Sequence, residues 1–330
     1  MAILVSGGAG YIGSHMVLEL LDRGEKVVVL DDLSTGFWRA VPPEAVFVQG
    51  DIGDQELVGR VIAEHAVSEI AHFAARIVVP ESVQDPLGYY HNNTVKTRAL
   101  LESAVRGGVK RIIFSSTAAV YGEPALSPVP EEIALHPINP YGRSKLMSEW
   151  MLQDAAKAHS LSYVVLRYFN VAGADPKGRS GQSSANATHL IKVASQAALG
   201  QRDGLTIFGS DYATPDGTCI RDYIHVTDLA RAHLAALDHL REGGTSLTLN
   251  CGYGRGYSVR EVVEVVKQVS GVDFPVTIAE RRAGDPASLV ARADRIRAEL
   301  GWTPAHDDLA QIVRDALAWE EALKTRNATL

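Results

Sequence analysis

A short apolar strand at 3–6 runs straight into Gly7-Gly8-Ala9-Gly10-Tyr11-Ile12-Gly13, and an amphipathic stretch through 11–23 follows at once. Few folds accommodate that order. Glycines between a strand and a helix permit a tight turn and let the backbone approach a pyrophosphate, whose charge then sits at the helix N-terminus. A second apolar run, 26–30, ends in Asp31-Asp32. Asp31 lies 18 residues beyond Gly13, near the spacing at which a carboxylate accepts hydrogen bonds from an adenosine ribose. A carboxylate there repels a 2′-phosphate, so the pattern predicts NAD rather than NADP. The competing reading, glycines that serve only the turn, leaves the aspartates unexplained. Expected cofactor contacts are Gly7, Gly10, Tyr11, Ile12, Gly13, Asp31 and Asp32.

The βα theme repeats along the first half. β-branched runs at 45–49, 69–73, 111–115 and 163–167 alternate with helical patterns at 54–64, 86–107 and 141–158. Such alternation predicts an α/β fold: a doubly wound parallel sheet of the Rossmann kind, with helices on both faces. After Asn170 the pattern changes. Residues 171–189 are rich in Gly, Ser and Asn and read as a loop or crossing between lobes. Helices at 189–199, 226–241, 258–270 and 306–324 follow, with strands at 205–208, 247–250 and 275–279. The expected division is a dinucleotide-binding domain of 1–170 plus about 218–243, and a smaller mixed α/β substrate lobe of 171–217 and 244–330.

Composition excludes several partners. A net charge of −7 does not provide the broad basic face that nucleic-acid binding needs. No apolar run approaches the ~18 residues of a membrane span, and the N-terminus has none of the regions of a signal peptide. A soluble cytoplasmic protein with no membrane or nucleic-acid partner is expected. Cys219 and Cys251 are too few for a disulfide framework or zinc ribbon; two reduced thiols are expected, a single bridge being the alternative, and no metal site.

Tyr141 and Lys145 open the 141–158 helix four residues apart, with Pro140 marking its start. Residues at i and i+4 share a helix face, so phenol and ammonium can enter one site. A free tyrosine, with a pKa of about 10, is a poor base at neutral pH; a nearby ammonium and a cationic nicotinamide favour its phenolate. Taken alone, Tyr-x-x-x-Lys recurs on surface helices, and the upstream glycine turn is what gives it weight. The third candidate is Thr117, at the end of the 111–115 strand in Phe114-Ser115-Ser116-Thr117-Ala118-Ala119-Val120-Tyr121-Gly122. Carboxyl ends of such strands face the ligand crevice, and its hydroxyl can relay a proton to Tyr141. A plain turn residue is the alternative.

These motifs, with Leu-Arg-Tyr-Phe-Asn at 166–170 and Arg-Asp-Tyr-Ile-His-Val at 221–226, resemble the extended short-chain dehydrogenase/reductase family. Within it the chain is similar to the UDP-glucose 4-epimerases, from residue 2 to about 320. The resemblance implies a bound NAD that oxidises C4 of a UDP-sugar and reduces the 4-keto intermediate from its other face, without an external redox partner. It also implies that Lys145 bonds the nicotinamide ribose. Related dehydratases place acidic residues after the threonine, and decarboxylases a glutamate; here stand Ala118 and Ala119. By position, the resemblance adds Asp51, Ile52, Phe73, Ala74, Ala75, Asn92, Ser115 and Tyr168 as cofactor contacts. Asn170, His189, Leu190, Thr206, Phe208, Arg221, Arg282 and Asp285 become contacts of the UDP portion, alongside Thr117 and Tyr141. A guanidinium suits a diphosphate because it binds bidentately, although either arginine alone is as readily a surface ion pair. Ile77 stands where some members have a cofactor-contacting lysine, and Leu289 where the room for an N-acetyl group is governed. UDP-xylose/UDP-arabinose and UDP-N-acetylhexosamines therefore remain open as substrates. A homodimer through the 86–107 and 141–158 helices is also implied. A non-catalytic NAD-binding sensor is the alternative from another class, and it has no use for the Tyr141–Lys145 pair.

Overall fold

The structure, a computed structural model, describes residues 1–184, 188–282 and 284–327. The strands of the first half are β1 (Ala2–Ser6), β2 (Val27–Asp31), β3 (Val46–Gln49), β4 (Val67–His72), β5 (Arg111–Thr117) and β6 (Ser162–Tyr168). Those of the second are β7 (Asn170–Ala172), β8 (Leu205–Phe208), β9 (Ile220–His225), β10 (Leu247–Cys251), β11 (Gly256–Ser258), β12 (Val276–Ala279) and β13 (Ser288–Leu289). Helices α1 (Tyr11–Asp22), α2 (Gln55–Glu64), α3 (Val79–Gln84), α4 (Pro86–Tyr90), α5 (Lys96–Arg106) and α6 (Pro140–Ala158) are interleaved with the first strands. Helices α7 (Leu190–Ala198), α8 (Val226–Arg241), α9 (Val259–Ser270), α10 (Asp294–Leu300) and α11 (Leu309–Asn327) follow.

Seven strands form one parallel sheet in the order β3-β2-β1-β4-β5-β6-β10. Every residue of β1 and β2 is buried, as a sheet covered on both faces requires of valine-rich strands. The strand order reverses between β1 and β4, and in open α/β sheets that crevice at the carboxyl ends is where ligands bind. The 247–250 strand, expected in the second lobe, is instead the outermost strand of this sheet, paired with β6. The alternation Leu247-Thr248-Leu249-Asn250 suits an edge strand of either sheet, so residue pattern does not distinguish the two placements.

Around β9 a smaller sheet gathers β11 antiparallel and β13 and β7 parallel, while β8 and β12 form a separate parallel pair. Helices α7, α9 and α11 pack on one another beside them. The expected 86–107 helix is continuous in direction but not in kind. Between α4 and α5 the five residues His91–Val95 form a π-helical turn, a feature frequent at functional sites. Both cysteines are buried and unbridged. Among the described residues no helix is long and apolar enough to cross a membrane.

Candidate active site

Gly7 has φ +75°, and a Cβ on it would stand 2.5 Å from Ala74 N. The turn therefore lies against the end of β4, where Phe73 N and Ala74 N both donate to Ser6 O, at 2.9 and 3.1 Å. A Cβ on Gly13 would come within 2.1 Å of Gly7 O, so α1 starts as close to its strand as backbone allows. Asp31, buried at the end of β2, accepts from Ala9 N and Leu33 N at 2.9 Å each. Each of its oxygens accepts one of these bonds and has capacity for another. Burial holds its carboxyl above the usual range, partly offset by those two N–H groups. A helix N-terminus without a side-chain cap beside a half-satisfied carboxylate is a donor and acceptor set that fits a dinucleotide.

The other expected cofactor residues are less uniform. Ile52 packs in the core with Val28 and Leu30. Asp51 accepts from Lys96 Nζ and from Gly53 N at 2.7 Å; burial raises its pKa, but those partners outweigh it and the net shift is down. Asp32 is exposed and accepts from Ser34 N at 2.9 Å. Tyr11 departs from expectation: its hydroxyl donates across to Gly173 O at 2.7 Å, which leaves only its backbone for the anion. Asn92 donates to Asn93 Oδ1 at 3.0 Å. Asn93, which sequence reasoning missed, is buried and also accepts from Arg76 N at 2.8 Å and donates to Arg76 O and Ser144 Oγ. The π-helical turn aims that amide between the β4 extension and α6.

Asn139 caps α6 by accepting from Gly142 N at 2.8 Å, and Pro140 takes the first helical position. Tyr141 and Lys145 thus occupy the first two turns, and both are buried. Lys145 Nζ donates to Ser115 O at 2.8 Å and lies 4.9 Å from the Phe114 ring centre. Ser115 Oγ is 2.9 Å from His233 Nε2, whose ring packs on Phe73 in a tilted arrangement, with centres 4.7 Å apart. Thr117 ends β5 opposite Tyr168 of β6 and accepts from Ala119 N at 3.1 Å. Burial pushes the Tyr141 phenol up to about 12, against which the bonded Thr117 hydroxyl acts only partly. Burial likewise pulls Lys145 down to about 7, opposed by Glu149. The expected lowering of the phenol by a neighbouring ammonium does not appear: desolvation dominates at both groups, opposed by Thr117 at the phenol and by Glu149 at the amine.

Beyond Thr117 and Tyr168 the chain continues into Asn170, which opens onto a cavity of about 650 Å³. His189, Leu190, Thr206, Phe208, Arg221, Arg282 and Asp285 all line it, whereas Tyr141, Thr117 and Lys145 do not. Expected substrate residues from five separate segments are thus brought together, adjoining the dyad rather than enclosing it. Both arginines are already engaged. Arg221 donates to Ile220 O and Pro286 O at 2.9 and 2.8 Å and pairs with Asp285 at 3.4 Å. The Arg282 guanidinium lies 3.7 Å from the Phe208 ring centre. His189 Nδ1 lies 2.7 Å from the Gln182 amide nitrogen, and burial lowers its pKa, with Lys192 adding to the effect. Gln182, Arg202, Trp319 and Glu320 also line the cavity. None was legible, since helix α11 carries the last two from the far end of the chain.

The family model described as the NAD dependent epimerase/dehydratase family matches residues 3–252. The chain belongs to that family. It is 60% identical over 322 residues to a UDP-glucose 4-epimerase of Azospirillum brasilense, a match covering 98% of this chain and 92% of that protein. The UDP-glucose 4-epimerase of Brucella ovis, solved in complex with NAD, superposes with a TM-score of 0.93 at 48% identity, over 96% of this chain and 97% of that one. The UDP-Glc/GlcNAc 4-epimerase of Campylobacter jejuni gives a TM-score of 0.86 at 51% identity, over 97% and 99%. An NAD-dependent enzyme of Rossmann architecture is what these likenesses and the seven-stranded sheet establish.

Proposed function

We propose that the enzyme inverts C4 of UDP-glucose and UDP-galactose, with Tyr141, Lys145 and Thr117 as its catalytic residues. The observation that carries this reading is the meeting of Thr117, Tyr141 and Lys145 at the end of β5, in a turn where Ala118 and Ala119 supply no acid. Elimination of the C6 hydroxyl needs a further proton donor, and general acid–base help is worth roughly 10²–10⁴-fold. Without one, oxidation and return remain.

Bound NAD supplies the hydride acceptor and donor at C4. Tyr141 takes the C4 hydroxyl proton, through Thr117 or directly, and returns it when the 4-keto sugar is reduced on its opposite face. Lys145 stabilises the phenolate and holds the nicotinamide ribose. Asp31 accepts from the adenosine ribose, and the N-terminus of α1 with Gly7, Gly10, Ile12 and Gly13 receives the pyrophosphate. Phe73, Ala74, Ala75, Asn92, Ser115 and Tyr168 line the cofactor, with Asp51 and Ile52 near the adenine. In the cavity, Arg221 and Arg282 take the diphosphate with His189 and Asn170, Asp285 the uridine ribose, and Thr206, Phe208 and Leu190 the uracil side. The cofactor domain then comprises 1–170 with the segment from α8 to β10, and the substrate lobe the remainder, β9 with its small sheet included.

A cytoplasmic homodimer is also proposed. A groove of about 460 Å³ on the outer face of α5 and α6, lined by Leu101, Val105, Met151 and Ala155 among charged side chains, supports it. So does Trp150 of the same helix α6, which is 52% exposed. Sedimentation of the protein and of Trp150→Glu tests the dimer, which the charge should dissociate.

The function is tested by incubating purified protein with UDP-galactose and no added cofactor, and resolving products by chromatography. Formation of UDP-glucose is expected. Absence of turnover even with NAD supplied rejects the epimerase. Parallel arms with UDP-xylose and UDP-N-acetylglucosamine rank the sugars.

A further inference from the structure

A buried charged network lies directly behind the dyad and has no part in the chemistry just described. Glu149 sits on α6 one helical turn after Lys145, and it and Arg167 of β6 are both buried. Arg167 grips the carboxylate from one side, Nη2 to Oε2 at 2.6 Å and Nε to Oε1 at 3.1 Å. From the other side Ser116 Oγ donates to Oε1. Ser116 stands between Ser115, whose carbonyl holds Lys145, and Thr117. One carboxylate therefore ties the strand end that carries Ser115 and Thr117 to the helix that carries Tyr141 and Lys145. Arg167 extends the network to Tyr121 Oη at 3.2 Å, and Tyr121 donates to Asn250 Oδ1 at 2.6 Å.

We propose that Glu149 is a positioning residue for proton transfer, clasping β5 to α6 and setting its carboxylate one turn behind Lys145. The inference rests on the roles given above to Tyr141, Lys145 and Thr117. The titratable groups around the pair are Glu149 itself, His72 of β4, which burial keeps neutral, and Arg167, Tyr163 and Tyr168 of β6, of which only the arginine is charged. Tyr121 and Glu131 complete the set, from the connection after β5. Of these it is Glu149 that opposes the pull of burial on Lys145. A neutral amine would not stabilise the Tyr141 phenolate.

The test compares Glu149→Gln, Glu149→Asp, Ser116→Ala and the double variant Glu149→Met/Arg167→Met, with Tyr141→Phe alongside. Removing one buried partner strands the other charge, whereas replacing both by apolar groups is often tolerated, so the double variant keeps the question open if Glu149→Gln does not fold. Expected in Glu149→Gln and the double variant is a fall in kcat of about 10–100-fold, with KM within about twofold. The alkaline limb of kcat moves to lower pH, because Lys145 loses its proton sooner. Ultraviolet titration of the Tyr141 phenolate, taken as the difference from Tyr141→Phe, moves to higher pH. Glu149→Asp recovers part of each effect. Ser116→Ala, which opens the clasp and leaves the ion pair, lowers kcat with the pH limbs unmoved. A double variant with wild-type circular dichroism, kcat and pH profile overturns the proposal, as does wild-type kcat in Ser116→Ala should the others not fold. Wild-type turnover by Tyr141→Phe would instead reject the dyad itself, whatever Glu149 does.

Discussion

The two halves of the site are built by opposite means. On the cofactor side, Gly7, Asp31, Ser115 and Thr117 stand at or next to the carboxyl ends of the parallel strands β1, β2 and β5, and Tyr141 and Lys145 share one helix face. Each side chain is placed by backbone that was already obliged to be there. On the substrate side, Asn170, His189, Phe208, Arg221 and Arg282 come from five stretches separated by loops, around a cavity of about 650 Å³. Their placement depends on pairs such as Arg282 on Phe208 and Arg221 with Asp285. On the proposed function, chemistry belongs to the half built on continuous elements and recognition to the half assembled from separate segments. Damage to the first should appear in kcat and damage to the second in KM.

Tyr141→Phe is the sharpest way to break that division. The ring still packs, so fold and KM should hold while kcat falls by about 10²–10⁴-fold; an equal rise in KM would show that the halves are not separable. The converse is Arg282→Leu. A hydrogen bond to a charged group is worth about 1.5–3 kcal/mol, which predicts KM for UDP-galactose raised about 10–100-fold with kcat changed far less. Isothermal titration with UDP alone checks that the loss is in binding. If UDP affinity is unchanged, Arg282 belongs to Phe208 and not to the ligand.

The same division governs what was legible in the sequence. Strand, glycine turn and helix are contiguous, so Gly7 to Asp31 could be read directly, and the spacing of Tyr141 and Lys145 is itself a statement about one helix face. Contacts that join remote segments carry no such signature. Glu149 finds Arg167 across a helix-to-strand gap, Ser115 finds His233 118 positions away, and Gln182 reaches His189 from within the loop that reads as a crossing. Strand β9 escaped notice because Arg221 and Asp222 interrupt its apolar run. Asp222 is buried there by accepting from the N–H groups of Tyr253, Gly254 and Ala291. Nothing at the level of residue pattern distinguishes such a carboxylate from a surface one. The π-helical turn at His91–Val95 was likewise hidden, since a π turn keeps helical periodicity on either side.

On the cofactor side a smaller effect is expected at Asp31. Asp31→Asn keeps one acceptor for Ala9 N or Leu33 N and removes the charge proposed to face the ribose. NAD binding should weaken about tenfold, the loss of one charge-assisted hydrogen bond. NADP, no longer repelled, should gain relative to it. Fluorescence titration of stripped protein with each dinucleotide measures the ratio. An unaltered preference would place discrimination at Asp32 instead.

The smallest effect is one of stability, and it tests whether the cofactor half bears a cost for its chemistry. Lys145 is pulled by burial from 10.5 to about 7, so between those values the unfolded chain holds a proton that the folded one has released. Stability then rises with pH across that window: the lysine's contribution is most favourable above about 10.5 and is lost as pH falls through 7. Lys145→Met removes the ionisation and fills the same volume over Phe114. Its melting temperature should exceed that of the unmodified protein by about 2–4 °C at pH 7, and the margin should shrink as pH is raised toward 10. Thermal scans of both proteins at matched pH read the difference directly, free of the other groups that titrate in common. A variant that melts lower by the same margin at every pH would mean that Lys145 repays its desolvation through its bond to Ser115 O, and that the cofactor half carries no strain on behalf of catalysis.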